Sequence, residues 1–295
     1  MTAAAPNIDD VALLFEGGGM RASYTSAVCA TLLREGLRFP YVAGISAGAS
    51  NTANYLSQDP DRARRCFVEF AADPQLGDLG TFLRGQGMFN ARYIYQETGG
   101  HGQALPFDWE TFRANPAEMR IGAFHCRSGR EVYWSSRDTP RMPELMLRVQ
   151  ASSSMPILMP PVEVDGELYL DGALGRSGGI PLEIAERDGY ERFFVVLSRP
   201  RAYLKHPPRL PALYRRWFAR YPAVVNGIRG RWHRYNETRR RLLELERQGR
   251  ACLFFPETMP VSNGERDVAK LAAAHELGLA QSRRELPRWR EFLRL

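Results

Sequence analysis

Long apolar runs are missing from this sequence, and none approaches the roughly 20 residues that a helix needs to span a bilayer. The N-terminal stretch is acidic and has no basic segment followed by an apolar one, so it is unlike a secretory signal peptide. These absences argue against an integral membrane protein and against secretion. We expect a soluble cytoplasmic protein, and peripheral contact with the inner membrane face stays open.

Cysteine is scarce, and no two cysteines form a C-x-x-C pair. The sequence therefore offers neither a zinc-ligand pattern nor a disulfide framework, and we expect no metal and no cofactor. The isolated thiols fit buried positions in a reducing compartment. They are Cys29, Cys66, Cys126 and Cys252.

Lysine is almost absent, because all but two of the 40 basic residues are arginine. The net charge of +7 and the arginine-rich segment 199–250 are the only features that would suit a nucleic-acid ligand. No recognition motif accompanies them. We therefore expect no nucleic-acid partner.

What the sequence does contain is an alternation of predicted strands and helices, without repeats or low-complexity linkers. At 295 residues the chain can bury a sizeable core. The pattern favours one α/β domain over 1–295, with a core at about 10–200 and a helical extension at about 200–295. The predicted strands are 11–15, 41–45, 119–126, 131–135, 191–198 and 251–255, and the predicted helices are 22–35, 61–72, 144–150, 237–248, 267–276 and 280–295.

The stretch Gly44-Ile45-Ser46-Ala47-Gly48 lies between an apolar run and a series of small residues that predicts a helix. A G-x-S-x-G sequence at a strand-to-helix turn is the context of a nucleophile elbow. Glycine at 44 and 48 lets the strand and the helix approach each other, while Ser46 is held with its hydroxyl exposed. A second match, around Ser177, follows no strand and predicts a loop. We therefore predict Ser46 as the nucleophile.

The first predicted strand is followed by Gly17-Gly18-Gly19-Met20-Arg21. Glycines between a strand and a helix leave backbone N–H groups free to bind an anion, either a phosphate or the oxyanion of an acyl-transfer intermediate. Arg21 indicates a functional site, because a cation in the first helical turn opposes the helix dipole. The glycines also fit a dinucleotide-binding fingerprint, but the second strand lacks the acidic residue that such a fold needs.

Two Asp-Gly pairs lie six residues apart. Asp165-Gly166 separates two alternating runs and predicts a hairpin turn. Asp171-Gly172 ends the second run and opens a loop of small residues, where a carboxylate can project into a cleft. Because Asp-Gly is also a common turn signal, this pattern alone favours a functional and a structural role for Asp171 equally.

Together these motifs resemble those of the patatin-like phospholipases, a family of acyl hydrolases, and more narrowly its small bacterial cytoplasmic members. The matching stretches are 17–21, 44–48, 151–156 and 171–173, in the family's order over about residues 10–200. The resemblance implies a three-layer α/β/α fold with a mostly parallel central sheet. It also implies a nucleophile elbow after the second strand and a helical C-terminal extension.

The resemblance further implies a Ser–Asp dyad without histidine that cleaves carboxylic esters of phospholipids or other lipids. Ser46 would be the nucleophile. Asp171 would accept its proton and return it to the leaving alcohol. The oxyanion hole would lie at 17–21, with the backbone N–H groups around Gly18 and Gly19 as donors.

Two rival functions stay open. A later histidine, from among His206, His233 and His275, would complete a Ser-Asp-His triad in the α/β-hydrolase order, although none of the three follows a strand end. The other rival is a catalytically silent, membrane-associated or regulatory binding protein on the same fold. The intact motifs argue against it.

The segment 199–235 interleaves arginines with aromatic residues. It could lie on an anionic membrane, with its arginines at the headgroups and Trp217, Phe218 and Trp232 inserted. We favour the alternative, in which the aromatics pack on the core and the arginines form a solvated helix face. The glycine-rich stretch 74–105 predicts an irregular segment that could cover the site.

Overall fold

The computed structural model describes residues 4–85, 87–209 and 211–295. Residue 86 of the glycine-rich segment 74–105 and residue 210 of the arginine-rich segment 199–235 therefore lie outside the described residues. In this part of the chain one eight-stranded sheet carries helices on both faces. The strands are β1 (Val11–Phe15), β2 (Tyr41–Ile45), β3 (Glu118–His125), β4 (Glu131–Trp134), β5 (Val162–Val164), β6 (Glu167–Asp171), β7 (Arg192–Val196) and β8 (Ala251–Phe254). The helices are α1 (Ala22–Arg34), α2 (Ala47–Leu56), α3 (Pro60–Phe67), α4 (Leu79–Leu83), α5 (Trp109–Ala114), α6 (Met142–Ser153), α7 (Leu182–Arg187), α8 (Pro211–Trp217), α9 (Pro222–Arg247) and α10 (Val268–Leu293).

The centre of the sheet is parallel. Strands β8, β7, β1, β2 and β3 lie side by side in that order and run in the same direction. Strands β1, β2 and β8 are buried along their whole length, as expected of strands that are covered on both faces. The sequence-based prediction of a mostly parallel α/β fold is confirmed.

One edge of β3 is shared by two strands. Along that edge β2 pairs as far as Ile45 opposite Gly122, and β6 continues with Asp171 opposite Ala123. The other edge of β3 is taken by antiparallel β4. The last residues of β2 and β6 are therefore neighbours along the same edge of β3.

The side chains of β1 alternate between two cores. Val11, Leu13 and Phe15 pack in a core with residues of α1 and α10, whereas Ala12 and Leu14 pack in a second core with residues of α7 and α9. This alternation follows from the two-residue period of a strand. The helices therefore form one layer on each face, and the sheet is the middle layer.

The two long C-terminal helices differ from the prediction. The helix predicted at 237–248 begins at Pro222, because tertiary contacts bury Val224, Val225 and Tyr235 on a stretch that has no regular apolar stripe. The helices predicted at 267–276 and 280–295 form one continuous α10. A shorter correction applies to 61–72, where α3 ends at Phe67 and a 3₁₀ turn follows.

Gly278 lies inside the continuous α10, at its contact with α1. A Cβ atom at this position would lie 2.4 Å from the backbone carbonyl oxygen of Tyr24 in α1. Glycine therefore lets the two helices approach closely and does not mark a break. Across the described ranges, no helix combines the length and the apolar character needed to cross a membrane.

Candidate active site

Ser46 occupies a strained turn between β2 and α2. Its backbone dihedrals are φ 59° and ψ −129°, a conformation that non-glycine residues rarely adopt. The backbone N–H of Ser46 donates a 2.9 Å hydrogen bond to the hydroxyl of Ser152, which donates in turn to the carbonyl oxygen of Gly122 at 2.6 Å. Helix α6 therefore fixes the elbow to β3 through one serine side chain.

The two elbow glycines allow close backbone contacts. A Cβ at Gly44 would lie 2.1 Å from the carbonyl oxygen of Gly48, and a Cβ at Gly48 would lie 2.2 Å from that of Phe15. Neither site can hold a larger residue without moving backbone. The strand-to-helix turn predicted from the sequence is present, with α2 starting directly after Ser46.

Asp171 ends β6 beside Ser46. One carboxylate oxygen accepts a 2.9 Å hydrogen bond from the backbone N–H of Ala173, and the hydroxyl of Ser46 lies within reach of the same carboxylate. Each of the two residues is only 6% exposed. Burial raises the pKa of Asp171 above its ordinary value, although the positive charge of Arg231 opposes this rise. Such a carboxylate is a stronger base than an exposed one.

The glycine loop after β1 has few free donors. The N–H of Gly17 donates to Gly179 O at 3.1 Å, that of Met20 to Asn263 O at 3.0 Å, and that of Arg21 to Gly18 O at 3.3 Å. The N–H groups of Gly18 and Gly19 have no acceptor among the described residues. Gly19 and Met20 line the same cavity as Ser46. The loop can therefore present two amide donors to an oxyanion near Ser46.

An apolar cavity of about 90 Å³ opens at Ser46. It adjoins a smaller cavity of about 60 Å³. The two cavities have five wall residues in common, namely Cys66, Phe67, Phe70, Ile94 and Tyr95. We call the two together the apolar cavity, and its composition suits a hydrocarbon chain.

Comparison with known proteins gives the family. The model of the family described as patatin-like phospholipase matches residues 13–185, more than half of the chain. This protein belongs to the patatin-like phospholipase family. A second family model, for a domain of unknown function (DUF6363), matches residues 221–294.

Two individual proteins are also similar. The chain is 25% identical over 209 residues to the uncharacterized protein YjjU of Escherichia coli K12, a match that covers 70% of this chain and 57% of YjjU. The match thus spans little more than half the length of that relative. The crystal structure of VipD from Legionella pneumophila is similar in fold, with a TM-score of 0.52 and 14% identity over 94% of this chain and 67% of VipD.

Arg21 is buried, with 9% of its surface exposed. Its Nε atom has no hydrogen-bond partner among the described residues. Burial lowers the pKa of Arg21 to about 10, and the nearby charge of Arg199 acts in the same direction. Arg21 therefore both opposes the dipole of α1 and loses hydration of its charge on burial. Such unfavourable placements are typical of functional sites.

The histidine candidates do not join the Ser46–Asp171 pair. His275 is buried between α1 and α10, where its Nδ1 lies 3.1 Å from the hydroxyl of Ser26. His233 lies on the exposed face of α9. His206 lines a cavity that also contains Asp171, but none of the hydrogen bonds of the described residues joins it to the carboxylate.

The rejected serine has a structural role. The hydroxyl of Ser177 donates a 2.6 Å hydrogen bond to the buried carboxylate of Glu131. It also accepts the backbone N–H of Gly179 at 3.3 Å. Both contacts hold Ser177 in its loop, and Ser177 has neither the strained backbone of Ser46 nor a place in the wall of the cavity at Ser46.

Two residues in the wall of the cavity at Ser46, Tyr95 and Asn263, carried no sequence signal. Ser152 lies inside the stretch 151–156 but supports the elbow only through a tertiary contact. Asn263 lies more than 200 positions from the glycine loop whose Met20 it binds. Within the described ranges, no group of three or more His, Cys, Asp or Glu side chains could hold a metal ion.

Proposed function

We propose that the protein is a serine acyl hydrolase that cleaves carboxylic ester bonds of lipids through a Ser46–Asp171 dyad. Membership of a family of lipid acyl hydrolases supports the general reaction class. The observation that supports the dyad is the placement of the Ser46 hydroxyl within reach of the buried carboxylate of Asp171, together with a glycine loop whose Gly18 and Gly19 N–H groups have no acceptor among the described residues. The apolar cavity at Ser46 supports an acyl substrate.

In the first half-reaction the oxygen of Ser46 bonds to the ester carbonyl carbon while its proton passes to Asp171. The carbonyl oxygen becomes an oxyanion that accepts hydrogen bonds from Gly18 and Gly19. The bond to the alcohol then breaks, and Asp171 returns the proton to the leaving oxygen. Water, deprotonated by Asp171, attacks the acyl-enzyme and releases the carboxylic acid together with free Ser46.

Contact with an anionic membrane through 199–235 is a second part of this proposal. The observation that favours it is the exposure of large apolar side chains there: 65% for Leu204, 45% for Leu213 and 56% for Trp217. Phe218 and Tyr235 are buried, as in the core-packing interpretation. The exposed side chains of this segment therefore fit membrane contact, and its buried side chains fit packing on the core. We propose a cytoplasmic protein that touches the inner membrane face through its exposed part, with residues 1–295 acting as one domain.

The test combines fluorophosphonate labelling with hydrolysis of a series of p-nitrophenyl esters. We expect Ser46→Ala to abolish both signals, and Asp171→Asn to lower kcat by at least about 10³-fold, because the serine loses its base. Ser177→Ala is the matched control, since it removes the serine of the other G-x-S-x-G sequence. Circular dichroism and the unfolding midpoint show whether each variant is folded.

Either outcome decides between the dyad and its main rival. Loss of activity in the first two variants but not in folded Ser177→Ala supports the dyad. If the folded wild-type protein neither reacts with the probe nor hydrolyses any ester of the series, the enzyme proposal is wrong for these substrates. The silent binding protein then becomes the better hypothesis, and pelleting with anionic liposomes tests it.

A further inference from the structure

A cavity of about 310 Å³, separate from the apolar cavity, opens beside Asp171. Its wall contains two cationic side chains, Lys205 and Arg231, and we call it the cationic cavity. Lys205 is one of only two lysines in the chain. The cationic cavity is therefore distinct in charge from the apolar cavity at Ser46.

The two cavities adjoin each other at the dyad. Met155 and Asn263 line both of them, Ser46 lines only the apolar cavity, and Asp171 lines only the cationic one. An ester whose carbonyl carbon lies at Ser46 thus has an apolar space on one side and a positively charged space on the other. This arrangement matches a molecule in which one ester bond separates a hydrocarbon chain from an anionic group.

Positive charge exceeds negative charge around the cationic cavity. Four cations repel one another there, because Arg21 and Arg199 lie close to Lys205 and Arg231 of the wall. The carboxylates that face them are Asp171 and Glu16. Glu16 is already engaged, since it accepts the N–H of Ser198 at 2.7 Å and the hydroxyl of Tyr235 at 2.8 Å. The ion pairs of the described residues involve other cations.

Lys205 shows the effect of this surplus. Burial and, after it, the charges of Arg231 and Arg21 together lower the pKa of Lys205 to about 7. An anion bound among these groups would relieve the repulsion. A cluster of like charges without an anion is unfavourable for folding, so its presence indicates a binding role.

The C-terminal region holds the cationic wall in place. The backbone of Lys205 is bound on both sides by the side chain of Asn236 from α9, with 2.9 Å hydrogen bonds to its N–H and its carbonyl oxygen. Arg239 of the same helix donates to the carbonyl oxygens of Pro200 and Arg201 at 2.9 Å. Arg231 donates from Nε to Gly178 O at 3.3 Å. The wall is therefore built by α9 and the loop before α8, beyond the residues 13–185 matched by the patatin-like model.

We propose that Lys205 and Arg231 form a subsite for the phosphate of a glycerophospholipid whose acyl ester is cleaved at Ser46. Arg21 and Arg199 add positive charge behind this subsite. The inference rests on the proposed acyl hydrolase function and goes further, because it assigns specificity for a phosphate-bearing headgroup to two residues of the C-terminal region. Arginine and lysine are the usual partners of phosphate oxygens, and their charge-assisted hydrogen bonds are the strong ones.

The decisive substrates are lysophosphatidic acid and a monoacylglycerol with the same acyl chain, since they differ only in the phosphate. We expect the wild-type protein to prefer the phosphate-bearing ester. Lys205→Met and Arg231→Met should each reduce the ratio of kcat/KM for the two esters by about 10- to 100-fold, the loss expected for one hydrogen bond to a charged group. Lys205→Arg and Arg231→Lys should restore part of the ratio.

The matched controls are Lys270→Met and Arg229→Met, which remove the same charges from exposed positions on α10 and α9. We expect them to leave the ratio unchanged. If all four neutral variants leave the ratio unchanged, or if the wild-type protein shows no preference for the phosphate, the headgroup subsite is wrong even though the acyl hydrolase function stands.

A binding measurement keeps this inference separate from catalysis. Calorimetry with lysophosphatidic acid and the Ser46→Ala protein should show binding that is weakened by a second substitution, Lys205→Met or Arg231→Met. Inorganic phosphate is the comparison ligand. If inorganic phosphate binds to the site but the phosphate of the lipid adds nothing to the affinity over the monoacylglycerol, the cavity takes a free anion and the headgroup proposal is overturned.

Discussion

Ser46 and Asp171 are adjacent because the strands that carry them pair with consecutive residues on one edge of β3. Ile45, directly before Ser46, lies opposite Gly122, and Asp171 lies opposite Ala123. The parallel sheet positions the proposed nucleophile, whereas an antiparallel hairpin positions the proposed base. The geometry of the dyad thus depends on β3, which contributes no side chain to the chemistry proposed here.

Ser152 connects the elbow to β3, and its removal should affect both stability and activity. In Ser152→Ala the buried N–H of Ser46 and the carbonyl oxygen of Gly122 lose a partner. We expect the free energy of unfolding to fall by about 1–3 kcal/mol, the cost of leaving a buried polar group unsatisfied. A displaced nucleophile should also lower kcat by about 10²-fold. Ser282→Ala, at a buried serine without a partner among the described residues, is the control, and equal losses in both would contradict this role.

Arg231 should control the pH dependence of the acyl hydrolase. Its charge favours the carboxylate form of Asp171 and so lowers the pKa of that group. The base acts when it is deprotonated, so the rate rises as pH increases through this pKa. Arg231→Met raises the pKa and should move the acidic limb of kcat/KM to higher pH, measured with a neutral ester. Arg229→Met should not move it, and a shift to lower pH in Arg231→Met would refute the assignment of Asp171 as the base.

A histidine-free mechanism predicts different effects at His206 and Asp171. His206 lines the cationic cavity and is the histidine that shares a cavity with Asp171 in the described part of the chain. If it completed a triad, His206→Asn should reduce kcat as severely as Asp171→Asn does, because members of a triad act as a unit. We expect a reduction of less than about tenfold for His206→Asn, since loss of a wall residue affects binding rather than proton transfer. The comparison uses kcat for one p-nitrophenyl ester.

The strands and turns that carry the proposed dyad were more predictable from the sequence than the residues around them. The strand ending at Ile45 and the start of α2 were predicted at the observed residues, because local sequence determines a tight strand-to-helix turn. The hairpin at Asp165 was equally predictable, and both Asp165 and Gly166 have the positive φ of such a turn. Local signals of this kind need no knowledge of the tertiary fold.

The supporting residues were not predictable, because their roles exist only between distant parts of the chain. Lys205 faces Asp171 only after α9 has packed on the sheet and Asn236 has bound its backbone. The start of α9 was also missed, since its arginine-rich first half resembles a solvated segment unless its contacts are known. Periodicity reports burial only where one face of a helix is uniformly covered.

Lys205 should make the stability of the protein depend on pH. The pKa is about 7 in the folded protein, against the ordinary lysine value of 10.5 when unfolded. The folded state therefore disfavours the charged amine of Lys205. The groups that face this amine are Arg231, Arg21, Arg199, Glu16 and the ring of Tyr235. This penalty is fully present below the folded pKa and disappears as pH rises toward the unfolded pKa.

Lys205→Met removes the penalty, so it should raise the unfolding temperature below the folded pKa of about 7, and the gain should shrink as the pH is increased. Measurements in a buffer without phosphate or sulfate keep anions out of the cationic cavity. Lys270→Met, at an exposed position, should show no such trend. A gain that grows with pH would show that Lys205 keeps its charge in the folded protein.

Gly278 is expected to be required for the close packing of α10 on α1. In an ordinary helix a change from glycine to alanine is favourable by about 1 kcal/mol. Here the added Cβ would lie 2.4 Å from the backbone oxygen of Tyr24 and 2.9 Å from the side chain of Ala27. Backbone atoms cannot rotate away, so the helices must separate, and overpacking of this kind costs about 1–3 kcal/mol. Gly278→Ala should therefore lower the free energy of unfolding in urea, with an unchanged m-value.

Gly264→Ala is the control. Its added Cβ meets no atom within 4 Å, so the free energy of unfolding should change by less than about 0.5 kcal/mol. A stabilised Gly278→Ala protein would mean that helix propensity outweighs the contact and that α10 can move on α1.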